Sequence, residues 1–582
     1  MAVAGVTDQG EEINKLVNGV VSAQKKYEEF NQQQVNCIIE AMAKEAERNA
    51  ETLARMAVEE TGFGRIEDKI IKNYLASRNI YEYIKEMKTV GVVNSYPDLG
   101  IEEIAAPAGV VLAIIPSTNP TSTTIYKALI SLKSRNGVVF SPHPAAANCI
   151  KHSVELLHKA AVSAGAPEGI IACLDNPTIE AANALMKHPG VAVILATGGM
   201  GMVRAAYSSG KPAYGVGPGN VPAYIDRSAD PAKAVQRVLT GKTFDWGTVC
   251  SSEQAIVADA PVYENVTDAL KTYKAYLCSP EETGRLEKTV VTLQFSVNPD
   301  IVGRSPVVIA DKAGFKVPED TTALVVEYSG VGKDFPLSIE KLSPVLALYK
   351  VNGWREGCAR CIEILGFGGL GHTLSLHCED EEIIREFALR KPASRILLNT
   401  SSTHGAVGFT TNLPPSLTLG CGPLGGNITS DNITPLHLVT IKRLARGVRE
   451  AESTLPVLNS EKEKSGDKGS LQASSANPCK AQATGSKNKI AEIVDGFLEG
   501  RISTGRKMEF SVVSSPANSK EVDIAETEIS EPLQEEMPAD FVCETDVIKA
   551  INSGNKIRIT RKTIVTPLAR ELADKYQILI VI

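Results

Sequence analysis

No apolar run in these 582 residues is long enough to cross a bilayer, which takes roughly 20 consecutive residues. Residues 1–12 carry neither the basic region nor the apolar stretch of a secretory leader, so the expected compartment is the cytoplasm. Positive charge is not in excess: 61 Lys and Arg against 68 Asp and Glu leave a net charge of -7, which gives no electrostatic case for nucleic acid or an anionic membrane as partner. The cysteines, 11 in all, are odd in number and have no framework spacing, which argues against a disulfide scaffold and for a reducing compartment. Cys358-Ala-Arg-Cys361 has no second pair to complete a zinc site and reads as two small residues on one helix. Hydrophobic content of 43% and charged content of 22% are ordinary for a globular protein, so the expected partners are small molecules and other proteins.

The length exceeds what one hydrophobic core organises, and the texture of the chain divides it. Residues 1–100 read as helical, with Val35, Ile38, Ile39, Met42 and Ala43 at helical spacing. In residues 101–225, short β-branched runs (Val110-Val-Leu-Ala-Ile-Ile115, Gly137-Val-Val-Phe140, Val191-Ala-Val-Ile-Leu195) alternate with helical stretches at 122–134 and 145–164. That alternation predicts an α/β fold with parallel strands, crossover helices and ligands at the strand C-termini. A second α/β unit follows at 226–418, then a Gly-rich loop and an amphipathic segment at 419–449, expected to form an edge or an oligomer contact.

Residues 450–487 read as a linker too poor in apolar side chains to fold. Residues 488–502 interrupt it with Ile490, Ile493, Val494, Phe497 and Leu498 on one helical face, the pattern of a docking helix. An acidic linker at 503–544 leads to a small unit, 545–582, which reads as helix, strand, turn at Thr566-Pro567, helix, strand. So small a unit is expected to dock or oligomerise.

Three motifs carry chemistry. Phe244-Asp-Trp-Gly-Thr-Val-Cys250 follows a Gly-rich stretch that brings backbone amides near the Cys250 sulfur, where a thiol can attack a carbonyl. Thr197-Gly-Gly-Met-Gly-Met-Val203 lies between a strand and a helix, where glycines let a backbone approach a phosphate, although a plain tight turn would look the same. Ile114-Ile-Pro-Ser-Thr-Asn-Pro120 ends another strand with Asn119, an amide able to donate to an oxyanion; turn chemistry alone also favours Asn before Pro.

Residues 11–449 resemble the aldehyde dehydrogenase superfamily, and within it the CoA-acylating branch that includes the aldehyde dehydrogenase half of bifunctional aldehyde/alcohol dehydrogenases. The resemblance rests on Ile115-Pro-Ser-Thr-Asn-Pro-Thr-Ser-Thr123, Phe140-Ser-Pro-His-Pro144, Ala196-Thr-Gly-Gly-Met-Gly-Met-Val203, Ser209-Gly-Lys-Pro212, Gly215-Val-Gly-Pro-Gly-Asn-Val-Pro222, Lys242-Thr-Phe-Asp-Trp-Gly-Thr-Val-Cys250, Glu340-Lys-Leu-Ser-Pro344 and Ser416-Leu-Thr-Leu-Gly-Cys-Gly422. It implies an aldehyde dehydrogenase-like fold with a Rossmann-type cofactor domain, an α/β catalytic domain and an oligomerisation segment.

The resemblance also implies roles. Cys250 takes the place of the nucleophile and Asn119 that of the oxyanion-hole amide. Thr197, Gly198, Gly199 and Gly201 fall on the dinucleotide phosphate loop, beside Pro116, Ser117 and Thr118 at a strand end, and Glu340 on the carboxylate that holds the nicotinamide ribose. His143 falls where many relatives keep a Lys for the adenosine ribose; with no Arg or Lys at that turn, NAD is the expected cofactor. Gly215 stands where hydrolytic relatives carry the Glu that activates water, so the acyl-enzyme is expected to wait for coenzyme A. His372 is a candidate for deprotonating the CoA thiol, with a structural histidine as the other reading. No metal site is implied.

The expected reaction is NAD-dependent oxidation of a short aldehyde to its acyl-CoA, with acetaldehyde preferred and propionaldehyde or sulfoacetaldehyde as alternatives. A hydrolytic aldehyde dehydrogenase and a non-catalytic assembly protein remain rivals. The bifunctional relatives continue into an iron-dependent alcohol dehydrogenase domain, of which residues 450–582 have no ligand set, so alcohol formation is not expected. Residues 489–502 look like the encapsulation peptides of bacterial microcompartments, with a subunit-contact helix as the other reading; the resemblance implies shell or cargo proteins as partners and a microcompartment lumen as location, and the homo-oligomer is expected to be a dimer or tetramer.

Overall fold

The computed structural model describes residues 4–449 and, in the tail, residues 539–581 apart from 543, 554, 566–568, 571, 572, 574, 575 and 577. They fall into two compact units, Met1–Val457 and Leu458–Ile582. Among the described residues no helix is long and apolar enough to cross a membrane.

The helical opening comprises Ala4–Tyr27, Gln32–Arg48, Ala50–Thr61 and Ile66–Tyr74, the last continuing through a π-helical turn, Leu75–Asn79. Gln32–Arg48 starts where Asn31 and Gln34 exchange capping hydrogen bonds, and it buries Val35, Ile38, Ile39, Met42, Ala43 and Ala46 as one stripe. Each large aliphatic side chain so removed from water contributes about 1.5–3 kcal/mol.

That stripe packs on the helices Pro120–Lys133 and Ala147–Ser163, which in turn cover a five-stranded parallel sheet ordered Ile171–Cys173, Gly137–Ser141, Val110–Ile114, Val191–Thr197, Ala213–Val216. Pleating sends successive side chains to opposite faces. Val111 and Ala113 therefore join the core under the helical opening, while Val110, Leu112 and Ile114 join a second core with Val191 and Ile194.

The other sheet has seven parallel strands, ordered Ala275–Leu277, Ala323–Glu327, Val345–Val351, Glu253–Asp259, Val221–Ile225, Gly371–His377, Ala393–Leu398. The boundary drawn at residue 225 thus needs correction: Val221–Ile225 pairs with Glu253–Asp259 and Gly371–His377 and belongs to the second sheet. The start at residue 101 shifts likewise, because Ile101–Pro107 joins Gly91–Tyr96 and Val439–Ala445 in a separate antiparallel sheet. The amphipathic part of 419–449 is thereby an edge strand, in which Val439 and Ile441 are half-buried and the remaining residues are exposed. Cys358 and Cys361 are buried on the helix Gly353–Gly366, inside the core under the seven-stranded sheet.

In the tail unit, Ala539–Val542, Ile557–Val565 and Leu579–Val581 form a parallel sheet with Ile557–Val565 central, and Glu544–Ser553 is helical. Val542, Val547, Ala550, Ile559, Ala569 and Ala573 make its core. The first strand lies inside the stretch read as an acidic linker, a correction forced by Phe541 and Val542, which pair with Ile564 and Val565. The docking-helix stripe at 489–502 lies outside the described residues.

Candidate active site

A cavity of about 500 Å³ opens at the C-terminal ends of the five-stranded sheet and extends to the loop before Glu253–Asp259. Pro116, Ser117, Thr118, Asn119, His143, Thr197, Gly198, Gly199, Cys250 and Glu340 all line it. Strand ends gather there because each strand of a parallel sheet delivers its following loop to the same edge.

Asn119 precedes the helix Pro120–Lys133, yet its side chain makes no capping bond. Its amide instead donates from Nδ2 to Thr118 Oγ1 (3.1 Å) and Thr248 O (3.4 Å), and its Oδ1 accepts from Lys72 Nζ (2.5 Å). Asn119 thus lines the cavity with its amide held by Thr118, Thr248 and Lys72 and not by the first turn of the helix.

Past Thr197 the helix Met200–Tyr207 begins at Gly199 without a side-chain cap, so its first amides are free for an anion. Thr197 Oγ1 is buried without a hydrogen-bond partner, and a Cβ on Gly199 would meet open space. An orphaned hydroxyl beside an uncapped helix start fits a dinucleotide pyrophosphate. Gly201 lies within that helix and does not line the cavity. At the far wall, His143 Nδ1 accepts from the Ala145 amide (3.1 Å), and desolvation holds its pKa below the usual histidine range, so it brings no cation.

Cys250 follows a strained turn in which Asp245 and Trp246, both with Cβ atoms, adopt φ of 48° and 51°. The thiol is half-buried. Burial pushes its pKa up to about 12, Glu340 and Cys421 push the same way, and the Arg395 guanidinium opposes them. Gly219 packs so closely that a Cβ there would lie 2.0 Å from the Cys250 carbonyl oxygen, while its N–H donates to Glu340 Oε1 (2.9 Å). Burial raises Glu340 to about 7.

Besides Gly201, two more residues expected in the site lie outside the cavity lining. A Cβ on Gly215 would meet Val203 Cγ1 at 2.6 Å and Tyr207 Cε2 at 2.9 Å, and the Tyr207 hydroxyl bonds both the N–H (3.0 Å) and the C=O (3.3 Å) of Gly215. His372 is fully buried; Thr373 Oγ1 engages Nδ1 (2.9 Å), Nε2 has no partner, and burial and Arg395 lower its pKa to about 3.

Sequence reasoning missed three participants. Lys69 and Lys72, both almost fully buried, converge on Asp245; Lys69 Nζ also donates to Thr118 O (3.0 Å). Arg395 makes its hydrogen bonds to neutral groups, among them His372 O (3.0 Å) and Gly420 O (2.6 Å). Nothing in the local sequence distinguishes these cations from surface charge. A second, small hollow of about 20 Å³ lies beside Val249, walled by Ile71, Leu75, Phe244, Val407 and Phe409 together with Lys72, Thr403 and His404.

Residues 3–281 match the family model described as aldehyde dehydrogenase family. The bifunctional aldehyde-alcohol dehydrogenase AdhE of Escherichia coli (strain K12) is 43% identical over 451 residues, covering 77% of this chain and 50% of its own length. The chain thus spans about half the length of that relative. An acetylating aldehyde dehydrogenase from Geobacillus thermoglucosidasius superposes with a TM-score of 0.76 at 50% identity, covering 77% of this chain and 98% of that one. A propionaldehyde dehydrogenase from the Clostridium phytofermentans fucose utilisation bacterial microcompartment does so with a TM-score of 0.68 at 28% identity, covering 75% and 97%.

Proposed function

Because the chain belongs to the aldehyde dehydrogenase family, we propose that it oxidises a short aldehyde to its acyl-CoA with NAD, through a thioester on Cys250. The observation that carries this reading is the filled space at Gly215. Val203 and Tyr207 occupy the volume that a water-activating carboxylate would need, and general-base help of that kind contributes roughly 10²–10⁴ in rate. Glu340, the carboxylate whose field reaches Cys250, is tethered by the Gly219 N–H.

Cys250 loses its thiol proton to solvent and its sulfur bonds the aldehyde carbon. The oxyanion so formed is held by Asn119 Nδ2 and the Cys250 N–H. When bound, NAD supplies the hydride acceptor that converts this adduct to a thioester, and coenzyme A supplies the thiol that releases it. Thr197 and the amides at the start of Met200–Tyr207 would hold the pyrophosphate, and Glu340 the ribose beside the nicotinamide. Attack by the CoA thiolate forms the new C–S bond and returns Cys250 as thiolate. His372, buried away from the cavity lining with a low pKa, is better suited to supporting the backbone around Gly219 than to taking a proton from the CoA thiol.

The small hollow beside Val249, walled largely by aliphatic and aromatic carbon, supports a short aldehyde such as acetaldehyde or propionaldehyde, and Lys72, which lines it as well, keeps sulfoacetaldehyde as the alternative. The exposed apolar residues Val92, Tyr96 and Leu444 on the antiparallel sheet favour a homo-oligomer. The sequence pattern at 489–502 and the microcompartment source of one structural relative favour encapsulation. Deleting 489–502 should release the protein from shell fractions with activity intact; unchanged cofractionation refutes that part.

The test of the main reading is product analysis with and without CoA. Acyl-CoA and NADH should form in equal amounts, and free acid at full rate without CoA would overturn it.

A further inference from the structure

The charge buried behind the site belongs to groups that the proposed reaction does not consume. The helix Ile66–Tyr74 carries Lys69 and Lys72 at i, i+3, so both ammonium groups project to the same side, and both reach Asp245 Oδ2. Asp245 Oδ1 accepts from the Arg65 N–H (2.8 Å), the Asp245 N–H donates to Asp68 Oδ2 (2.8 Å), and Thr248 Oγ1 donates to Asp245 Oδ2 (2.5 Å). A Cβ on Gly64 would lie 1.9 Å from Asp245 Oδ1, so the carboxylate leaves no room for a side chain there. The carboxylate is thus pinned from four directions, which accounts for the persistence of the left-handed turn just before Cys250.

Lys72 goes further. Its Nζ reaches Asn119 Oδ1 (2.5 Å) and Thr248 Oγ1 (3.2 Å) as well. An ammonium can only donate, so it accepts the oxygen end of an amide and rejects the nitrogen end. With Oδ1 held there, the two Nδ2 hydrogens face Thr118 Oγ1 and Thr248 O, and the long bond to Thr248 O (3.4 Å) is the one an oxyanion would take over. A free amide would turn either way, and the wrong way puts an oxygen lone pair against an oxyanion. Lys69 fixes the backbone of the same loop through Thr118 O.

We propose that Lys72, seated on Asp245, is the positioning residue that aims the Asn119 amide at the oxyanion and strengthens it as a donor. The proposal rests on the reading of Asn119 given above. Burial lowers the Lys72 pKa to about 8, so the ammonium persists at neutral pH. Two lysines face one fully buried aspartate, with Asp68 already paired to Arg65, and the excess positive field lies behind the amide oxygen, on the side that raises the acidity of the Nδ2 hydrogens.

The experiment is a double-mutant cycle on the full-length chain with Lys72→Met, Asn119→Ala and the pair, read as kcat/KM for aldehyde in acyl-CoA formation. Asn119→Ala should lose about 10²–10³-fold, the usual cost of one oxyanion donor. Lys72→Met should lose about 10–100-fold with KM for NAD within about twofold, and the pair should be no worse than Asn119→Ala within about threefold, because a misaimed amide that has been removed cannot be missed twice. Alkylation of Cys250 by iodoacetamide passes through no oxyanion, so its rate in Lys72→Met should stay within about twofold of the parent.

Losses that multiply in the pair, a Lys72→Met variant within about threefold of the parent, or a parallel fall in alkylation would each overturn the proposal. If Asn119→Ala itself keeps full activity, the reading of Asn119 fails, and the proposal with it, whatever Lys72 does. Should Lys72→Met not fold, Lys72→Gln, which keeps one neutral donor in the same space, carries the same cycle with an intermediate loss expected.

Discussion

Restoring a carboxylate at residue 215 should not restore hydrolysis, and the reason is steric. Ordinary carbon contacts are about 3.5–4.0 Å, so a Cβ at 2.6 Å from Val203 Cγ1 and 2.9 Å from Tyr207 Cε2 is roughly 1 Å too close to two neighbours at once. Val203 is buried and Tyr207 is tied to the Gly215 backbone through its hydroxyl, so neither is a loose end that swings away. Overpacking of this kind costs about 1–3 kcal/mol for the first carbon. Gly215→Ala should therefore unfold at lower denaturant, with the midpoint displaced and the slope unchanged. Gly215→Glu should fall further and still form acid no faster than the parent in the absence of CoA. The assay is denaturant unfolding for both variants, paired with separate quantitation of free acid and acyl-CoA. A stable Gly215→Glu enzyme that forms acid at rates near its acyl-CoA rate would refute the argument that this volume is closed.

Other expectations follow from the same geometry. Cys250→Ala should abolish turnover while the elution volume of the protein is unchanged; residual turnover above about one part in a thousand would remove Cys250 as nucleophile. With burial holding the Cys250 thiol near 12, only the small thiolate fraction reacts, so the iodoacetamide rate of the cofactor-free enzyme should climb about tenfold per pH unit from pH 7 to 10. A plateau below pH 9 would contradict that. Gly219→Ala, whose Cβ meets the Cys250 carbonyl oxygen at 2.0 Å, should lose activity by about a hundredfold or more, measured as kcat on soluble protein; near-parent activity would mean the loop relaxes freely. His372 is buried neutral with its pKa lowered to about 3, so protons bind the unfolded chain better below about pH 6.5. Its contribution to stability is present above that pH and is lost as pH falls toward 3. His372→Asn should accordingly flatten the stability loss between pH 7 and 5, by up to about 1.4 kcal/mol per pH unit; parallel curves for the two proteins would refute the assignment.

That Thr197, Gly198 and Gly199 would come together at one strand end was legible in the linear chain. Strand, glycines and helix start follow one another in residues 191–203, and local order suffices because a single βα turn forms this wall of the cavity. The pairing of Val221–Ile225 was not legible, since a buried parallel strand reads the same whichever sheet receives it and only hydrogen-bond partners decide. The Asn119 environment was half legible: its place at a strand end was in the sequence, but its partner Lys72 lies 47 residues away.

By itself the sequence determined which residue types were available for chemistry: a cysteine after glycines, an amide at a strand end, a glycine instead of a carboxylate at residue 215. These choices are local, and covalent order preserves them. The tertiary structure alone decided that Val203 and Tyr207 fill the space beside that glycine, that His372 is walled off, and that two lysines and an aspartate from separate segments lie buried behind Asn119. Close packing and buried charge are properties of side chains far apart in the chain, and the fold has to bring them together before either has an energy.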